Sequence, residues 1–106
     1  MDKKAVLDIV GRFRQGIEAR GVKAQRVILY GSHATGKGTI ESDIDIVVIS
    51  DDWSGKGFWE RIGILSDVIY EISEPIEAVA MTPKEWEQGD SFVVGFAREG
   101  DVFYAA

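Results

Sequence analysis

Asp43 and Asp45 stand one residue apart at the head of an apolar run, and a Gly31-Ser32 pair closes an earlier apolar run ten residues before them. On a strand, side chains two apart point to the same face. The two carboxylates therefore project together, and like charges so close repel unless a cation lies between them. Hard cations such as magnesium take oxygen ligands and bring phosphates with them. The Gly-Ser turn supplies the other half of such a site. Glycine lets the backbone approach a phosphate, while the serine hydroxyl and nearby amides donate to its oxygens. Lys37 adds a cation to the same loop. Each piece alone has a plainer reading: a simple turn for Gly-Ser, and a turn cap plus an exposed strand position for Asp43 and Asp45.

A third acid strengthens the first reading. Glu77 sits in Ile76-Glu77-Ala78-Val79-Ala80, an apolar strand-like run in which a carboxylate is costly to bury without a partner. If that strand neighbours the one carrying Asp45, three acids surround a place for two divalent ions. That arrangement serves in-line nucleotidyl transfer: one metal activates the attacking hydroxyl, and the other steadies the triphosphate and its pyrophosphate leaving group. Glu71, Glu74, Glu85 and Asp90 read as solvated surface. A P-loop is the competing motif, because Gly31, Gly36 and Lys37 fit its pattern. Position 38 is Gly where that pattern needs Ser or Thr, however, and only three residues separate Thr39 from the next strand-like run at Asp43. No helix of useful length fits there to hold phosphates at its N-terminus.

The elements that must position these residues follow from periodicity and punctuation. Asp2 caps a helix running to about residue 20, with Val6, Ile9, Val10, Phe13 and Ile17 as one apolar stripe and Gly21 as its stop. Strands are expected over 26–30, 43–50 and 76–81, the second buried on both faces through Ile46-Val47-Val48-Ile49. The loop 31–42 holds a short helical turn after Ser32. A turn-rich connection over 51–57 leads to a helix over 58–72, with Ile62, Leu65, Ile69 and Ile72 on one side. Thr82 caps a short helix opened by Pro83 and containing Trp86. A last helix spans 91–98, Gly100 stops it, and 102–104 forms an edge strand. The order α-β-β-α-β-α-α-β implies an α/β (α+β) domain, a small mixed sheet of about four strands flanked by helices. Residues 1–106 read as one domain without repeats or linkers.

Composition narrows the function classes. There are no cysteines, which excludes disulfides, thiolate zinc sites and a cysteine nucleophile. The opening residues carry no signal-peptide pattern and no run approaches a membrane span, so a cytoplasmic location without membrane attachment is expected. Residues 1–26 hold seven Lys or Arg against three Asp or Glu, a balance of +4, which leaves −10 for the rest of a chain of formal charge −6. That acidity argues against direct nucleic-acid binding, which relies on phosphate neutralisation. The basic start is either a solvated helix face or a contact for a nucleotide or acidic partner. Trp53, Phe58 and Trp59 cluster around a glycine-containing loop, as core or as an interface.

Gly31-Ser32, the ten-residue spacer, Asp43-Ile44-Asp45 and the later strand acid together resemble the nucleotidyltransferase superfamily related to DNA polymerase beta. The spacer length is that of its minimal members. The stretches 76–86 and 98–104 resemble the ending of that family, so the likeness runs from about Arg26 to Tyr104. It implies the polymerase beta-like fold, Gly31 and Ser32 on the nucleotide phosphates, and magnesium on Asp43 and Asp45. Glu77 takes the place of the third acid, ligating metal or helping deprotonate the acceptor. This chain departs from the family in carrying Glu77 where aspartate is more usual, and His33 where arginine often follows the serine. His33 is thus either a phosphate donor when protonated or a plain loop-surface residue. Minimal members lack the helical domain that binds the second substrate. The resemblance implies an antitoxin paired with a HEPN RNase toxin, transferring AMP from ATP to a hydroxyl of its partner. An antitoxin acting by binding alone, and transfer to a small molecule, are the alternatives.

Overall fold

A computed structural model of the chain describes residues 2–39, 42–89 and 92–105. Two sequence readings, the surface assignment of Asp90 and the helix start at Ser91, lie outside the described residues. The elements are α1 (Lys3–Ala19), β1 (Arg26–Tyr30), β2 (Ile44–Ile49), α2 (Phe58–Ile72), β3 (Ile76–Met81), α3 (Pro83–Gln88), α4 (Phe92–Ala97) and β4 (Asp101–Ala105). A 3-10 turn over Asp51–Trp53 joins β2 to α2. The four strands form one mixed sheet in the order β3-β2-β1-β4. β1 runs antiparallel to both β2 and β4, while β2 and β3 are parallel, with α2 as their crossover.

Strand alternation sorts the core into two layers. Val27, Leu29, Ile44, Ile46 and Val48 face α1 and α2, where Val6, Val10, Phe13, Ile17, Leu65 and Val68 are buried against them. Ile28, Val47, Ile49 and Met81 face the other way and pack with Val94 and Ala97 of α4. The continuous run in β2 is thus buried on both faces, as its composition requires. Local signals start and stop the helices where the sequence places them. The Asp2 carboxylate accepts from the Ala5 N–H at 2.8 Å, and Thr82 and Glu85 form a reciprocal capping box around the start of α3.

β4 carries an irregularity that makes it adhere to α1. Its pairing with β1 slips between Val27↔Tyr104 and Ile28↔Val102, leaving Phe103 as the extra residue of a bulge. The bulge turns two consecutive aromatics, Phe103 and Tyr104, toward the α1 layer. Arg14 stacks over the Tyr104 ring at 4.1 Å, and Lys3 pairs with Asp101 at 2.8 Å. With Arg12–Asp8, Arg14–Glu18 and Arg20–Glu71 also formed, four of the seven basic residues at the start of the chain are held in ion pairs within the fold.

The aromatic group around the Gly55 loop divides. Trp53 is fully buried, its indole N–H donating to the Val48 carbonyl at 3.1 Å. Phe58 and Trp59 are 66% and 79% exposed and meet edge to face at 5.0 Å. Trp53→Ala is expected to destabilise the fold by about 3–5 kcal/mol, and Trp59→Ala by under about 0.5 kcal/mol, both measured by urea unfolding.

Candidate functional site

The acids gather on the α3–α4 face of the sheet, at the end those helices leave uncovered. Cross-strand register makes a row: Tyr30 on β1 stands opposite Asp45 on β2, which stands opposite Glu77 on β3. The Asp45 and Glu77 carboxyls are close enough for the charge of one to act on the other. Asp43 lies just outside β2, because the ladder with β3 begins at Ile44, whose N–H donates to the Pro75 carbonyl at 2.7 Å. The expected strand start at Asp43 is therefore corrected by one residue. Asp43 is an exposed group at the strand mouth, still near enough to repel Asp45. Glu77 is exposed as well, so the cost of burying it does not arise; its place beside Asp45 comes from strand pairing instead.

Electrostatics reflects this crowding. Burial, then the charges of Glu77 and Asp43, raise the Asp45 pKa above the ordinary aspartate value, against a smaller opposing pull from His33. Burial and the same Asp45 and Glu77 charges push the Tyr30 hydroxyl up to about 12. Tyr30 is thus a neutral donor at the acid row, a feature that composition alone does not signal.

The Gly-Ser turn closes the other side. Gly31 has φ +76, and a Cβ there would collide with the Asp45 carboxylate. Only glycine meets both conditions. The chain then makes the expected short helical turn, with Ala34 N–H donating to Gly31 O at 3.1 Å and Lys37 N–H to Ser32 O at 2.9 Å. A cavity of about 480 Å³ opens between the turn and the acids, lined by Tyr30, Gly31, Ala34, Thr35, Asp45, Phe96, Glu99 and Gly100. Gly31 and Asp45 are thus brought to one cavity. Ser32 and Lys37 lie on the turn beside it, and Asp43 and Glu77 flank Asp45. Phe96, 72% exposed, and Glu99 come from the far end of the chain and carry no local signal of a site.

His33 is not the loop-surface residue of the plainer sequence reading. It is buried, with its ring Nε2 3.1 Å from the Ser42 carbonyl. A carbonyl only accepts, so Nε2 carries the proton. The ring clasps the start of the 31–42 loop to its end, immediately before Asp43. The ring also lies so close to Gly38 that a Cβ there would overlap it. Glu85 is exposed, as expected, and also has partners: against the upward effect of its partial burial, the Thr82 N–H and the Arg61 guanidinium hold its carboxyl below the usual glutamate range.

The family model described as the nucleotidyltransferase domain matches residues 10–99. The chain belongs to the nucleotidyltransferase domain family. Solved structures share the fold at low identity. A Sulfolobus solfataricus protein named provisionally as a nucleotidyltransferase superposes with TM-score 0.74 at 16% identity, over 97% of this chain and 83% of its own. A toxin–antitoxin crystallised with AMP-PNP gives 0.65 at 17%, over 91% and 73%. A further provisionally named nucleotidyltransferase gives 0.53 at 22%, over 90% and 92%. No curated protein matches the chain by sequence.

A nucleotidyltransferase domain implies a nucleotide substrate and usually a divalent metal. Among the described residues, no three acidic or histidine side chains already converge into a metal cage. The donor set nonetheless fits magnesium. That ion keeps several waters and is held by one or two carboxylates together with substrate phosphates, not by an all-protein cage. Asp45 in the open cavity and the exposed Asp43 two residues before it are donors of that kind.

Two outcomes are expected. The folded-state pKa of Asp45 lies above its unfolded value, so its contribution to stability is full below the unfolded pKa and is lost as pH rises through the folded one. Asp45→Asn should therefore make the metal-free chain more stable at neutral pH and flatten that part of its pH profile in urea unfolding. His33→Ala, which leaves the Ser42 carbonyl without its donor, should cost about 1–3 kcal/mol and weaken magnesium–nucleotide binding measured by calorimetry.

Proposed function

We propose that this nucleotidyltransferase domain moves a nucleoside monophosphate, AMP from ATP, to a hydroxyl on a partner protein. We further infer that it acts in the cytoplasm as a single minimal domain and as the antitoxin of a HEPN RNase toxin. The observation that carries the reading is the shared cavity. A glycine turn able to hold phosphates faces the same 480 Å³ space as Tyr30 and Asp45, and Glu77 stands beside Asp45 in the neighbouring strand. In this reading the turn amides and Ser32 hold the triphosphate, and Lys37 adds charge from the loop. Asp43 and Asp45 hold magnesium, with Glu77 as third acid, and a second ion completes the site. The metal supplies charge neutralisation on the phosphates and a more acidic acceptor hydroxyl. Glu77, exposed beside Asp45, is placed to take the acceptor proton. Tyr30, protonated at every working pH, donates toward the anionic row, and Phe96 offers a ring at the cavity lip for the base. Support for the partner comes from the toxin–antitoxin with AMP-PNP, which shares the fold.

The exposed Phe58–Trp59 pair favours a second reading, neutralisation of the partner by binding alone. One experiment separates the two. The chain is co-expressed with its partner toxin and incubated with alpha-labelled ATP and magnesium. Label should move to the toxin, and Asp43→Asn with Asp45→Asn should reduce transfer by more than roughly 100-fold, beyond the loss typical of outer-shell changes. Equal labelling by the double mutant sinks the metal-site reading. Full rescue of cells by a double mutant that transfers no label supports binding alone.

A further inference from the structure

A second groove lies away from the acid cavity, along the open edge of the sheet. It has a volume of about 780 Å³ and runs beside Ala78, Val79, Ala80 and Met81, between Ile62 and Leu65 of α2 and Glu85 and Gln88 of α3. β3 is the last strand of the sheet on this side. The bonds Ile44 N–H to Pro75 O and Ser50 N–H to Met81 O fix which β3 groups serve β2. In a parallel ladder these alternate, so Glu77, Val79 and Met81 bond inward. The N–H and C=O groups of Ala78 and Ala80 then point outward, and among the described residues they have no backbone partner.

Edges of this kind are normally blunted by a charge, a proline, a bulge or a covering element. Here only one end is covered. Arg61 reaches from α2 to Glu85 on α3 at 2.7 Å, closing the groove past Met81. The other end leads toward Glu77 and the acid row. The two alanines leave depth above Leu65, and Phe58 lines the groove with Trp59 against it, both largely exposed.

We infer that the open edge of β3 is a strand-addition site for an extended segment of a partner protein. The segment places apolar side chains toward Ile62 and Leu65, and basic ones toward Glu77 at the open end. Main-chain bonds to Ala78 and Ala80 give the affinity, and the alternating faces give the selectivity. Charge decides the occupant: Lys56 and Arg61 stand with Glu85 at the closed end, but the open end meets Glu77, Asp45 and Asp43, and a chain of formal charge −6 repels a second copy of itself and attracts a segment that is basic toward that end. The closed Arg61–Glu85 end orients the segment so that its free end emerges beside Asp45 and Glu77. Strand addition is then the way an acceptor hydroxyl is delivered to the acids, a step that rests on the proposed transfer to a partner protein.

The test uses the full chain and a panel of extended hexapeptides alternating valine with lysine or arginine. Amide exchange followed by NMR should show Ala78 and Ala80 fast in the free chain and slowed about tenfold or more by peptide. Ala80→Pro removes an outward N–H without touching the ladder to β2, a position where an edge strand tolerates proline. It should weaken peptide binding about tenfold while leaving Mg–ATP affinity unchanged, which also verifies folding. Backbone N-methylation of the peptide should weaken binding to the unaltered chain similarly. The inference is overturned if Ala78 and Ala80 are already protected, if no peptide protects them, or if neither the proline nor the methylation matters. It is equally overturned if sedimentation shows a dimer that Ala80→Pro dissolves, since a second copy then fills the edge. Peptide binding in a chain that fails to bind Mg–ATP counts against the transferase reading and leaves strand addition standing.

Discussion

Parallel pairing of β2 with β3 sets the carboxylates of Asp45 and Glu77 side by side, and much else in the molecule is arranged around that unfavourable contact. Neither carboxylate is among the ion pairs formed by the described residues. Asp43 adds a third negative charge at the mouth of β2, and the consequence is visible as the raised Asp45 pKa. Such a contact persists only where surrounding structure holds it. Here the two central strands are buried on both faces, so β2 cannot slide or tilt to separate the charges without exposing Ile46, Val47 and Val48.

The two faces of the sheet divide the work. On one, long helices α1 and α2 cover the strands with the larger core, anchored by Phe13, Ile17 and the buried Trp53. On the other, α3 and α4 are only six residues each, too short to cover the sheet to its end. Isolated helices of that length are unstable. α3 relies on its Thr82–Glu85 capping box, its Arg61 ion pair and contacts of Trp86 with Arg26 and Arg98. Their brevity is what leaves a cavity at Tyr30, Gly31 and Asp45 and a groove along β3. The same face is thus weaker as core and open as site.

Much of this order was readable along the chain. Asp2, Thr82 and Pro83 mark helix starts by local chemistry that needs no distant partner, and the stripe Val6, Ile9, Val10, Phe13, Ile17 marks the face of α1 that became buried. Glu77 was singled out by its type and setting, although the reason was imperfect: it is exposed, and pairing, not burial, brings it to Asp45. What stayed hidden depended on contacts between distant residues. The Ser42 carbonyl as partner of His33, and Arg61 as partner of the exposed Glu85, came only with the fold. Phe96 and Glu99 entered the cavity only because β4 returns alongside β1 and carries the end of α4 with it.

The sequence by itself determined the elements, their order, and a set of residue types suited to phosphate and magnesium. Periodicity, caps and turn residues act within a few positions, and their energies are already present in the local chain. Tertiary structure alone decided the register that aligns Tyr30, Asp45 and Glu77, the fate of each aromatic in the Trp53 group, and which sheet edge remains open. Those outcomes come from which strands pair and how far short helices reach, and a one-dimensional pattern does not encode the distances that settle them.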